Sequence, residues 1–290
     1  MSNKFQISLS DNTIINAKIH YNRCSKWLVC LHGLGEHLDY HSYINDYLGS
    51  SYNILQFDLR GHGKSEGPRG WIENFWQFSL DLQEVLDWLT RNWTANDISF
   101  FAHSMGSVIL CDFFQNLLGP FKKFNKVFLS SPAVGFSGLG KLFQYSPNAI
   151  TGLISELPWD FHVGGSEDYT RYSHNPNVLT KKKDDPLFLD TVSSKLIAEI
   201  AHASNRIFER PLNLGADIYI VMGGSDPVIC PMTAIEYFSN IEKAREVLII
   251  PGGYHELYEE IPKYKAPFLK FLEQSLITKN CPKSIRSITV

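Results

Sequence analysis

Apolar positions along this chain fall into two rhythms that take turns. Phe5–Leu9 and Ile14–Tyr21 are β-rich and separated by the turn residues Asp11 and Asn12, which predicts an antiparallel ribbon. Trp27–Leu31, Ile54–Phe57, Ile98–Ala102 and Val127–Leu129 are short, continuous apolar runs, the pattern of strands covered on both faces. Helical spacing fills the gaps. A short helix is expected near Tyr43–Leu48. Phe78, Leu82, Val85, Leu86, Leu89 and Trp93 recur on one stripe with Asp81, Glu84 and Asp87 opposite. Met105, Ile109, Phe113 and Leu117 form another stripe, stopped by Gly119-Pro120. Strand and helix therefore alternate from Trp27 to Ser131. Right-handed crossovers turn that rhythm into a mostly parallel sheet with helices on both faces, an α/β class.

After Pro132 the alternation stops. Residues 133–212 are expected to form an inserted helical cap, dividing a core made of 1–132 and 213–290. Leu189, Val192, Leu196, Ile200, Ala203 and Ile207 share one stripe and predict a helix there. The run Lys181-Lys182-Lys183-Asp184-Asp185 reads as a solvated turn. The sheet resumes at Ile218–Met222, continues through a helix near Thr233–Phe238 and the strand Val247–Ile250, and closes with a helix ending near Ile277. Pro267 blurs the start of that helix, and the tail from Lys279 reads as frayed.

Composition narrows the function classes. A length of 290 residues suits one large α/β domain with an insertion, and 44% hydrophobic with 20% charged residues is the balance of a soluble globular protein. A formal net charge of -3 gives no support for a nucleic-acid partner. No run approaches the ~18 apolar residues of a membrane span, and Met1-Ser2-Asn3-Lys4-Phe5 lacks the apolar core of a secretory signal. Cys24, Cys30, Cys111, Cys230 and Cys281 are scattered, without the paired spacing of a disulfide framework or a zinc site. A reducing, cytoplasmic location is the expectation, with neither metal nor cofactor implied.

The chemistry gathers around Phe100-Phe101-Ala102-His103-Ser104-Met105-Gly106. A β-type run drives into Ser104 and a helix leaves at once. Such a turn strains the serine backbone, exposes its hydroxyl at the sheet's lip and sets a helix N-terminus behind it. Gly106 meets the need for a small flanking residue; Ala102, where the usual pattern has glycine, adds one methyl. An activated serine needs a base, and the base needs an acid. Functional groups of an open parallel sheet collect beyond the strands' carboxyl ends. Among ten histidines and thirty acids, that rule selects Asp226, just past Ile218–Met222, and His255, just past Val247–Ile250. Two backbone N–H donors must face the oxyanion: Met105, after the nucleophile, and Leu34, in the glycine-rich loop His32-Gly33-Leu34-Gly35. Asp58 and His62 read as turn braces and Glu36 as a structural hydrogen-bonding group. His37, Asp39 and His41 lack a further ligand that would make them a metal site.

Together, His32-Gly33-Leu34-Gly35-Glu36-His37, Asp58-Leu59-Arg60-Gly61-His62-Gly63-Lys64-Ser65, His103-Ser104-Met105-Gly106, Asp226-Pro227-Val228 and His255-Glu256-Leu257 resemble the monoacylglycerol lipase and lysophospholipase branch of the α/β-hydrolases, of the serine aminopeptidase S33 type. The resemblance implies a serine hydrolase that cleaves a fatty-acyl ester through an acyl-enzyme under a lipid-accepting cap. Its partner would be a small lipid or ester molecule, with transient membrane-surface contact through the cap. Phe136, Leu142, Leu153, Leu157 and Trp159 are the expected acyl-pocket residues. A general carboxylesterase, a peptidase-like amide hydrolase and a non-catalytic binding protein on the same fold remain open alternatives.

Overall fold

Continuous apolar strands are stable only between two layers, and the chain supplies both. The computed structural model describes residues 2–116, 124–135, 161–164, 169–208, 216–239, 244–277 and 284–287. In chain order the elements are β1 (Ser2–Ser8), β2 (Ile14–His20), β3 (Lys26–Leu31), α1 (Tyr43–Leu48), β4 (Asn53–Phe57), α2 (Trp76–Asn92), β5 (Asp97–His103), α3 (Met105–Asn116) and β6 (Phe124–Ser130). Then follow β7 (His162–Gly164), α4 (Asn177–Lys183), β8 (Thr191–Ser193), α5 (Ser194–Phe208), β9 (Asp217–Gly223), α6 (Pro231–Ser239), β10 (Ala244–Ile250), α7 (Pro262–Ile277) and β11 (Ser284–Ser287). Nine strands form one sheet in the order β1-β2-β4-β3-β5-β6-β9-β10-β11. β2 pairs antiparallel with β1 and with β4, while all later neighbours run parallel.

Side-chain alternation along each strand feeds a core on either face. Leu28, Cys30, Phe101, Phe128 and Val221 pack on α1 and α7, through Ile44, Leu48, Phe268 and Leu272. Val29, Leu31, Phe100, Val127 and Ile220 point the other way, onto Leu82 and Val85 of α2, Ile109 of α3 and Phe238 of α6, and α5 packs in turn on α3. The strand order reverses between β3 and β5, because the chain leaves β3 for one side and returns on the other. A crevice opens at such a reversal, beyond the strands' carboxyl ends. Ser104 follows β5 and the Gly33–Leu34 loop follows β3, so both lie on its rim.

Three expectations need correction. Lys181, Lys182 and Lys183 close helix α4 rather than a solvated turn, and Lys182 is buried. The ammonium tolerates burial because it pairs with Glu256 and lies 4.6 Å and 4.9 Å from the ring centres of Tyr172 and Phe188. The stripe from Leu189 to Ile207 is helical only from Ser194, since β-branched Val192 sits in β8, paired antiparallel with β7. Ser284–Ser287 of the tail adds a strand alongside β10. Helix α7 runs through Pro267, held by the buried Phe268, Leu269, Phe271, Leu272 and Leu276. Phe136, Leu142, Leu153, Leu157 and Trp159 lie outside the described residues.

Candidate active site

The turn between β5 and α3 puts Ser104 at φ 49°, a left-handed conformation that a residue with a Cβ adopts only under constraint. The constraint is visible on both sides. Ser104 N–H donates to Ser130 O at 3.0 Å, and Ser104 O accepts from Ala133 N–H at 3.3 Å. Gly106 lies so close to β3 that a Cβ there would approach His32 O to 2.7 Å and Leu31 O to 2.9 Å. Gly106→Ala is therefore expected to destabilise the protein by about 1–3 kcal/mol, read as a lower urea midpoint with unchanged slope. The methyl of Ala102 belongs to the sheet's core face, and its carbonyl accepts Ser107 Oγ at 2.9 Å.

His255 and Asp226 converge on the same point from the loops after β10 and β9. His255 Nε2 lies 2.9 Å from Ser104 Oγ, and His255 Nδ1 lies 2.7 Å from Asp226 Oδ2. The other carboxylate oxygen, Oδ1, accepts from Val228 N–H at 2.8 Å and Ile229 N–H at 3.1 Å, so the acid's orientation is fixed. Burial alone would push His255 down. The charge and hydrogen bond of Asp226, with Glu256 and Glu36 nearby, outweigh it and hold the imidazolium above the ordinary histidine range.

Met105 follows Ser104 directly, and Leu34 follows Gly33 in the loop after β3. Met105 opens α3, so its N–H is one of the donors without an acceptor inside the helix. Gly33 lies against Ser104: a Cβ there would sit 3.3 Å from Ser104 Cβ. His32 sets the next peptide. Its Nε2 accepts from Leu59 N–H at 2.9 Å, which leaves the proton on Nδ1 to donate to Gly33 O at 2.8 Å. Leu34 N–H, on the opposite edge of that trans peptide, is thereby turned away from His32. Burial pushes His32 down to about 4, which keeps the ring neutral in this role.

A buried polar cluster, missed in the sequence except for Glu36, lies behind these loops. Glu36 accepts from Gly33 N–H at 2.7 Å, from His41 Nε2 at 3.0 Å and from the Tyr258 hydroxyl. Burial opposes its ionisation, but His103 and His41 and the hydrogen bonds of His41 and Tyr258 hold the carboxyl well below the usual range. His103, buried beside Glu36, meets Ser130 O at 3.1 Å through Nδ1. Its ring centre lies 5.2 Å from those of His255 and Tyr258. Asp58 accepts from Leu38 N–H, Lys64 N–H and Asn16 Nδ2, and His62 Nδ1 meets Arg60 O at 3.0 Å. Asp39 pairs instead with Lys18 and His37 with Asp185. Among the described residues no group of His, Cys, Asp and Glu is arranged to hold a metal, and no helix is long and apolar enough to cross a membrane.

A mostly parallel sheet with helices on both faces, carrying this serine, carboxylate and histidine past β5, β9 and β10, defines an α/β-hydrolase fold. The profile of the family described as serine aminopeptidase, S33, matches residues 23–262, and the chain belongs to that family. Phospholipase YtpA of Bacillus subtilis (strain 168) is 23% identical over 238 residues, covering 80% of this chain and 88% of that protein. The monoglyceride lipase homolog of monkeypox virus is 24% identical over 288 residues, covering 91% and 97%. A soluble variant of the monoglyceride lipase from Saccharomyces cerevisiae, solved with a substrate analog, shares the fold with a TM-score of 0.76 at 16% identity over 94% of each chain.

Proposed function

We propose that the protein is a serine hydrolase that cleaves a fatty-acyl ester, a monoacylglycerol or lysophospholipid, through an acyl-enzyme. The observation that carries this reading is the unbroken chain of contacts from Ser104 Oγ through His255 to Asp226 on a strained turn. In this mechanism Ser104 Oγ attacks the ester carbonyl carbon while His255 Nε2 takes its proton. The oxyanion receives hydrogen bonds from Leu34 and Met105 N–H. Collapse breaks the bond to the alcohol oxygen, which leaves with the proton from His255. A water, deprotonated by the same nitrogen, then attacks the acyl-enzyme; the bond to Ser104 Oγ breaks, the proton returns from His255 to that oxygen, and the acid is freed. Asp226 holds the tautomer with the proton on Nδ1 and stabilises the cation.

The names of the relatives, a phospholipase and a monoglyceride lipase homolog, favour a lipid ester over a peptide amide. The family description favours an amide, and one experiment separates the two. We assign residues 133–212 to a cap and Phe136, Leu142, Leu153, Leu157 and Trp159 to its acyl pocket. Each methylene buried there adds up to about 0.8 kcal/mol, or roughly fourfold in kcat/KM. With p-nitrophenyl esters, kcat/KM is expected to climb from acetyl to at least octanoyl and then level off. Polar substitution of Leu153 or Leu157 should flatten the climb. A preference for acetyl esters or aminoacyl amides would overturn the lipid reading.

A further inference from the structure

Two described non-glycine residues with positive φ, Asn12 and Arg23, sit in exposed turns; the other two are Ser104 and Ser131. Ser131, at φ 43°, is fully buried. Its position is doubly unfavourable. The left-handed region suits glycine, and Pro132 presses the residue before it toward extended backbone. A buried residue held there against both preferences is over-determined by its surroundings, and such strain gathers at functional sites.

The strained backbone places the hydroxyl. Ser131 N–H donates to Val221 O at 2.8 Å, pinning the residue to β9, while Ser131 Oγ donates to His255 O at 2.7 Å. The residues on either side grip the nucleophile, since Ser130 O accepts Ser104 N–H and Ala133 N–H donates to Ser104 O. Residues 130–133 thus hold the N–H and the carbonyl of Ser104 through their backbone and the main-chain carbonyl of His255 through the Ser131 hydroxyl. The separation of Ser104 Oγ from His255 Nε2 is set across that segment.

We propose that Ser131 is a positioning residue: its hydroxyl anchors the main chain of His255 and keeps the imidazole within reach of Ser104. The proposal rests on the reading of Ser104 and His255 as nucleophile and base. Ser131 acts through His255, so its loss should alter turnover rather than ground-state binding.

Two variants of the full chain separate positioning from stability. Ser131→Ala removes the hydroxyl and keeps the backbone strain; Ser131→Gly removes both, because glycine adopts positive φ freely. With p-nitrophenyl octanoate, both are expected to lose about 10- to 100-fold in kcat, the scale of a small misplacement of reacting groups, with KM near the parent value. Ser131→Gly should melt at a higher temperature than Ser131→Ala yet be no faster. If Ser131→Ala fails to fold, Ser131→Gly decides. Recovery of kcat in Ser131→Gly alongside its stability would make the residue purely structural and overturn the proposal, as would parent kcat in either variant. Ser104→Ala, run beside them, tells the two failures apart. Undiminished turnover there overturns the nucleophile reading and this proposal with it. Loss of turnover there, with unchanged kcat in both Ser131 variants, overturns the Ser131 assignment alone.

Discussion

Replacing His255 by alanine is expected to lower kcat by about 10⁶-fold, the loss seen when a base of this kind is removed. Ser104 Oγ has its hydrogen-bond partner at 2.9 Å in His255 Nε2, and without it the hydroxyl must attack with its proton in place. The effects of nucleophile and base should not add. A Ser104→Ala/His255→Ala double variant should be no slower than either single one, because each removal abolishes the same step. KM should change little. A thermal melt separates this loss from unfolding, since the backbone hydrogen bonds of Gly253, Ser225 and Glu256 hold the loop independently of the imidazole. Turnover within a hundredfold of the parent would remove His255 from the mechanism.

Asp226→Asn should cost about 10⁴-fold in kcat with the fold intact. The hydrogen bonds around the carboxylate give the reason. Oδ1 is claimed by two N–H donors, Val228 and Ile229, so an asparagine must keep its carbonyl oxygen there. Its amide NH₂ then faces His255 Nδ1, at the position where Oδ2 accepted. That nitrogen becomes the acceptor, the ring proton moves to Nε2, and the base can no longer receive the proton of Ser104. The pH profile carries a second signature. In the proposed mechanism His255 must be neutral to act; burial lowers its folded value, but the charge of Asp226 raises it above the ordinary one. In the parent, kcat/KM should fall as pH drops through a midpoint above the ordinary value of about 6.5. In Asp226→Asn the supporting charge is gone, so that midpoint should move to lower pH. Near-parent kcat in Asp226→Asn, or an unmoved midpoint, would point to another acid.

The sheet was legible because strands buried on both faces write continuous apolar runs, and because Ser104, Asp226 and His255 each follow one of those runs directly. What escaped depends on partners remote in sequence. Lys182 sits among lysines and aspartates, and nothing local announces that Glu256, Tyr172 and Phe188 will enclose it. Ser131 lies in an ordinary Ser-Ser-Pro stretch whose meaning comes from a hydrogen bond to the carbonyl of His255, 124 residues away. His103 and Tyr258 are adjacent or close to Ser104 and His255 in sequence, yet their joining through Glu36 needs the loop after β3 to fold beneath them. The short strands β8 and β11 lack the long apolar run that marked the inner strands, and pairing alone defines them.

Covalent capture of the nucleophile tests the central claim most directly. Native protein treated with a fluorophosphonate, digested and analysed by mass spectrometry should carry one adduct, on the peptide containing Ser104, and Ser104→Ala should carry none. An adduct on a different serine, or undiminished labelling of Ser104→Ala, would contradict it.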